Sequence, residues 1–165
     1  MSEIATEVVR NLAVCSQTLV TAESCTAGLV SSAIAAIPGA SKVFWGGFIT
    51  YTADAKTSML GVDEAVIRRF GAASGETAAA MAVGALKNSA AGVSAVVTGL
   101  AGPDGDGSAT PVGAVWTAIA IREKEGVSLA RAAHFHFEGN RNEVRLRAAE
   151  TVLQEIASFL DERWG

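Results

Sequence analysis

A chain of 165 residues, 50% apolar and only 18% charged, has the length of one domain and a composition that excludes disorder. Its net charge of −4 and pI near 5.2 oppose the basic surplus that grips a nucleic-acid backbone, so no nucleic-acid partner is expected. Polar residues, Gly or Pro interrupt every hydrophobic stretch before about 18 residues, which excludes a membrane-spanning helix.

Met1-Ser2-Glu3-Ile4 shows no basic segment leading into an apolar one, so no secretory leader is expected. Ile4, Val8, Val9 and Leu12 recur at helical spacing and predict a helix over 3–15. Residues 18–22 read as a short strand and 26–37 as a helix stopped by Pro38-Gly39. Phe44 to Tyr51 is aromatic and β-branched and reads as a strand, with Gly46-Gly47 allowing a bend. A short helix is expected over 63–70, closed by Gly71, and a long alanine-rich one from a Ser74 cap to about 89. Residues 94–98 form a strand that runs into a glycine-rich loop over 99–109. Strands over 112–121 and 129–137 are expected to form a hairpin around 123–126. Asn140 with Glu143 resembles a capping box for a last helix over 141–162, whose apolar stripe is Val144, Ala148, Val152, Ile156 and Leu160. Helices and strands alternate early and strands adjoin later. The expected fold is a single α/β domain over 1–165, a three-layer α/β/α arrangement around a mixed sheet. Cys15 and Cys25 are too few for a disulfide framework or a structural zinc site and fit a reducing cytoplasm. Surplus alanine, together with the frequency of two-fold symmetry, favours a homodimer or higher homo-oligomer.

Four segments can carry chemistry. Ala22-Glu23-Ser24-Cys25-Thr26-Ala27-Gly28 sits where a strand gives way to a helix, where free N–H groups can hold an anion. Ser24 there is a nucleophile or simply, like Thr26, a cap; Cys25 is a rival nucleophile or a packed thiol. Lys56, one of four lysines, has apolar neighbours Ala53, Ala55, Met59 and Leu60. As a general base it would need burial to lower its pKa by about three units; otherwise it is a solvated helix lysine. Tyr51, the sole tyrosine, either orients a ligand or closes a strand. Thr98-Gly99-Leu100-Ala101-Gly102-Pro103-Asp104-Gly105 lets backbone approach a ligand, or is a plain turn. It lacks the Lys-Ser/Thr of a phosphate-binding P-loop. Arg141 and Arg145 share a helix face and fit phosphate oxygens, unless they are merely solvated. Asp104 with Asp106, and His134 with His136, are too sparse to argue for a metal.

Together these segments, with Gly47-Phe48-Ile49-Thr50-Tyr51, Leu60-Gly61-Val62 and Pro111-Val112-Gly113, resemble the CinA C-terminal domain family, the nicotinamide-nucleotide amidase (PncC) group. The resemblance runs from about 3 to 160. It implies hydrolysis of the carboxamide of nicotinamide mononucleotide to nicotinate mononucleotide and ammonia, by a Ser–Lys pair, with no metal or cofactor. Carried over, Ser24 is the nucleophile, Lys56 its base and Tyr51 an assisting residue. Cys25, Thr26, Gly28, Thr98, Gly99, Ala101, Gly102 and Arg141 fall at substrate-binding positions; Arg145 is added from helix spacing. The alternative is a nucleotide-binding module with little turnover, acting through partners in competence or DNA-damage responses. Two departures stand out: Thr26-Ala27-Gly28 where the family has Thr-Gly-Gly, and Tyr51-Thr52-Ala53-Asp54-Ala55-Lys56 where it has Tyr-Ser-Asn-x-x-Lys. The pyrophosphatase-like domain of longer family members has no counterpart in these 165 residues.

Overall fold

A computed structural model describes residues 1–165. In chain order the elements are α1 (Ser2–Val14), β1 (Leu19–Glu23), α2 (Leu29–Ala35), a 3-10 turn (Ala40–Lys42), β2 (Phe44–Ile49), α3 (Ala53–Leu60), α4 (Glu64–Phe70), α5 (Gly75–Lys87), β3 (Val93–Gly99), β4 (Ala114–Glu123), β5 (Gly126–His136) and α6 (Arg141–Trp164).

The five strands form one mixed sheet in the order β2-β1-β3-β4-β5. β1 runs parallel to both β2 and β3, whereas the β3–β4 and β4–β5 pairs are antiparallel. The reason lies in the connections: β1 to β2 and β2 to β3 each carry helices, while β4 and β5 are joined by the tight turn Lys124-Glu125. Alternation along β3 divides the core in two. Val93, Ala95 and Val97 pack with Val8 and Leu12 of α1, Val30 and Ile34 of α2, and Val152, Ile156 and Leu160 of α6. Val96 packs on the opposite face with Met81, Ala82 and Ala85 of α5 and Leu60 of α3. The sheet is thus covered on both faces, the expected three-layer α/β/α architecture.

The expected capping box is present. Asn140 Oδ1 accepts from the N–H of Asn142 and Glu143, and Glu143 Oε2 accepts from Asn140 N–H at 2.7 Å. Three elements differ from the sequence expectation. β5 begins at Gly126, immediately after the two-residue turn, rather than at 129. α2 begins at Leu29 rather than 26, because Ala27 and Gly28 adopt left-handed φ values of 50° and 99°. α3 was not foreseen as an element. It is capped by Thr52, whose hydroxyl accepts from Ala55 N–H at 3.1 Å, and closed by Gly61 at φ 68°. No helix is long and apolar enough to cross a membrane.

Candidate active site

The carboxyl ends of β1 and β3 lie side by side, and the chain leaves β1 for β2 on one side and joins β3 on the other. Such a switch in strand order leaves a crevice beyond the strand ends, where α/β folds bind ligands. Ser24 follows β1 directly, and its N–H donates to Val97 O of β3 at 3.0 Å, so its backbone is an extension of the sheet. Side-chain alternation then turns Glu23 toward α2 and Ser24 toward the opposite face, where α3 delivers Lys56.

Lys56 is 1% exposed. Its Nζ donates to Ser24 Oγ at 2.9 Å and to Thr50 O at 2.9 Å. Burial lowers its pKa to about 8; the neighbouring Cys25 acts weakly in the other direction. A lysine with a pKa near 8 can exchange its proton near neutrality, and Ser24 Oγ lies within hydrogen-bond reach of it. Cys25 lies beside this pair, but burial pushes its thiol up to about 11, so a neutral thiol, not a thiolate, stands there.

A cavity of about 180 Å³ opens next to Ser24. Its walls include Ser24, Cys25, Tyr51, Gly99, Ala101, Gly102 and Arg141, together with Leu100 and Asp104. Arg141 reaches across its mouth: one guanidinium nitrogen donates to Gly102 O at 2.6 Å and the other to Tyr51 Oη. The loop is closed beneath by Leu100 N–H donating to Ala114 O at 3.0 Å and Gly113 N–H donating to Leu100 O at 2.7 Å. Half-exposed Tyr51 and exposed Arg141 are both free to meet a ligand from solvent.

The other residues singled out in the sequence stand behind this wall. Thr98 Oγ1 donates to Ala72 O at 2.8 Å and ties β3 to the segment before α5. Arg145 donates to Cys25 O at 3.0 Å, Thr26 O at 3.1 Å and Asn142 Oδ1 at 3.3 Å, bracing the turn after β1 from α6. Thr26 Oγ1 and Gly28 N–H both donate to Glu23 Oε2, at 2.7 and 2.9 Å.

Glu23 is the residue whose part sequence reasoning missed. Its carboxylate also accepts from Val30 N–H, Ser31 N–H and Ser31 Oγ at 3.1, 2.8 and 2.6 Å. The start of α2 is thereby filled by the protein's own anion, a correction to the expectation that these amides are free for a ligand. Ser24 N–H is also taken, by Val97 O. The signal was an acidic side chain ending an otherwise uncharged strand just before a helix start. Thr50, whose carbonyl orients Lys56, carried no signal in its side chain. No group of three or more His, Cys, Asp or Glu gathers to hold a metal; His134 instead stacks on Trp116 with ring centroids 4.5 Å apart.

Comparison with known proteins places these observations in a lineage. The CinA C-terminal domain family model matches residues 1–160. A putative competence-damage inducible protein of Symbiobacterium thermophilum is 44% identical over 155 residues, covering 92% of this chain but 36% of that protein. The chain thus spans about a third of the length of several curated relatives that it matches. The nicotinamide-nucleotide amidohydrolase PncC of Escherichia coli K12 is 41% identical over 139 residues, covering 84% of this chain and 82% of that one. Among solved structures, the competence/damage inducible protein CihA of Agrobacterium tumefaciens superposes with a TM-score of 0.86 at 37% identity. That match covers 97% of this chain and 94% of the other.

Proposed function

The chain belongs to the CinA C-terminal domain family, and from that premise we propose that it hydrolyses the carboxamide of nicotinamide mononucleotide to nicotinate mononucleotide and ammonia. The observation that carries this reading is the 2.9 Å contact between Ser24 Oγ and a buried lysine with a pKa near 8. The similarity to a nicotinamide-nucleotide amidohydrolase across most of both chains supports the choice of substrate.

One Nζ hydrogen of neutral Lys56 stays on Thr50 O, which directs the lone pair toward Ser24. As Ser24 Oγ bonds to the carboxamide carbon, its proton passes to Nζ and the carbonyl oxygen becomes an oxyanion. Backbone N–H groups of the turn that follows Ser24 are the donors this reading assigns to that oxygen. The intermediate collapses as the C–N bond breaks, Lys56 returns the proton to the departing nitrogen, and ammonia leaves an acyl ester on Ser24. Water then attacks that ester with Lys56 again as base, releasing the acid and restoring Ser24. The Arg141 guanidinium at the cavity mouth suits the nucleotide phosphate, and Tyr51 Oη holds the guanidinium in place.

The test is ammonia release from nicotinamide mononucleotide in the presence of a chelator. The wild-type protein is expected to turn over, Ser24→Ala and Lys56→Ala to lose about 10³-fold or more in kcat, and Cys25→Ala to keep most of it. Tight nucleotide binding without ammonia would favour the binding-module alternative. Activity lost only in Cys25→Ala would move the nucleophile to the thiol.

A further inference from the structure

No step of that reaction uses the Glu23 carboxylate, although it is 1% exposed and joined directly to the nucleophile in sequence. We propose that Glu23 is a positioning residue: its carboxylate fills the start of α2 in place of an external anion and fixes the turn that aims Ser24 Oγ at Lys56. The inference rests on the amidase reading, since the quantity it governs is the reactivity of Ser24.

Three observations converge on this role. First, five donors close on the carboxylate. Oε2 takes Thr26 Oγ1 and the N–H of Gly28 and Val30; Oε1 takes the N–H and hydroxyl of Ser31. The Ser31 hydroxyl is itself held by Thr21 Oγ1 at 2.7 Å, so the network is anchored in the middle of β1. Second, the turn needs restraint. Ala27 and Gly28 both sit at left-handed φ, and a non-glycine residue there costs about 1–2 kcal/mol. Glu23 takes the donors of this turn while Arg145 donates to its carbonyls at Cys25 and Thr26, gripping the turn from both sides. Third, neighbouring residues leave room for the network. Gly47 of β2 lies against it, and a Cβ there would stand 2.5 Å from both Ser31 Oγ and Thr21 Oγ1.

A glutamine at position 23 would turn an NH₂ group toward one set of donors and lose their hydrogen bonds. An aspartate is too short to reach both sets. Either change releases the turn while leaving Ser24, Lys56 and the cavity wall chemically intact. Misplacing a reacting atom by about 1 Å lowers a rate by about 10²-fold.

The experiment measures kcat and KM for ammonia release in wild type, Glu23→Gln and Ser31→Ala. It also follows the rate at which a fluorophosphonate labels Ser24, read by intact mass. Expected for Glu23→Gln is a loss of about 10²-fold in kcat and in labelling rate, with KM within about two-fold of wild type. Ser31→Ala, which removes one donor far from the cavity, is expected to lose about three- to ten-fold in both rates. Wild-type kcat and labelling in both variants, or a loss confined to KM, would overturn the proposal. If Glu23→Gln does not fold, Ser31→Ala decides alone. A wild type that labels at Ser24 yet releases no ammonia removes the amidase reading, and the labelling rates of the variants still decide the role of Glu23. A wild type that neither labels nor turns over overturns both.

Discussion

At the scale of single residues, the site depends on burying a lysine that a folded chain normally leaves in water. Its pKa falls from 10.5 to about 8 because burial disfavours the ammonium. Below about pH 8 the folded and unfolded chains both hold this proton, so the full penalty of burying the charge is present. Between about 8 and 10.5 the unfolded chain binds more protons than the folded one, so this group makes stability rise with pH. At about 1.4 kcal/mol per pKa unit the penalty is on the order of 3 kcal/mol, partly offset by the hydrogen bonds to Ser24 and Thr50. Lys56→Met is therefore expected to abolish activity and to raise the melting temperature by several degrees at pH 7, with the difference shrinking toward pH 10. Thermal unfolding of both proteins across that range checks it; a lower melting temperature for the variant at pH 7 would show that Lys56 is not buried at a cost. Cys25 illustrates the opposite limit. The same burial that lowers the pKa of the amine raises that of the thiol, so one environment favours the neutral form of both.

At the scale of elements, the parts that follow periodicity were legible. The stripe Val144, Ala148, Val152, Ile156 and Leu160 predicts α6, and all five residues are buried. The aromatic and β-branched run from Phe44 predicts β2, and the serine before α5 caps it as expected, accepting from Thr77 N–H at 3.2 Å. What periodicity did not reveal is α3, because its two buried residues, Lys56 and Leu60, include a charge where a core stripe would have an apolar residue. Its signals were local instead: Thr52 as cap and Gly61 as stop. The late start of α2 was hidden for a related reason. Ser24 and Thr26 look like caps, yet the capping group is the side chain of Glu23, one strand position earlier. The site was more legible than its supports, since Ser24 and Lys56 carry recognisable chemistry, whereas Thr50 contributes only a carbonyl and Arg145 faces backbone rather than ligand. The alanine within the first motif has its own consequence. Ala27 at φ 50° is exposed, so Ala27→Gly relieves backbone strain without opening a cavity. An increase of about 0.5–1 kcal/mol in unfolding free energy is expected from the urea midpoint, net of the greater flexibility of glycine. A decrease would place the strain elsewhere.

At the scale of the molecule, the site is assembled from pieces far apart in sequence that only the sheet order brings together. The turn after β1 supplies Ser24, the segment after β2 supplies Thr50 and Tyr51, α3 supplies Lys56, the loop after β3 forms the cavity wall, and α6 reaches over with Arg141. The two parallel partners of β1 bring this about, because their carboxyl ends converge at one edge while the antiparallel β4–β5 pair completes the sheet on the far side. α6 is both roof and buttress: Ile156 lies in its buried stripe, packed in the core shared with α1, α2 and β3. Ile156→Ala is expected to lower stability by about 2–5 kcal/mol in urea unfolding while leaving kcat below the transition near wild type. A large loss of kcat at full folding would show that α6 packing sets the active-site geometry directly. The central claim is that Lys56 releases its proton near neutral pH, and it has one direct measurement. With only Lys42, Lys56, Lys87 and Lys124 in the chain, the Cε signals of ¹³C-labelled lysine can be followed by NMR from pH 6 to 11, and the spectrum of Lys56→Met identifies the signal of Lys56. A midpoint near 8 for that signal, with the other three near the ordinary lysine value of about 10.4, is the predicted result. All four signals titrating together above pH 10 would contradict the account.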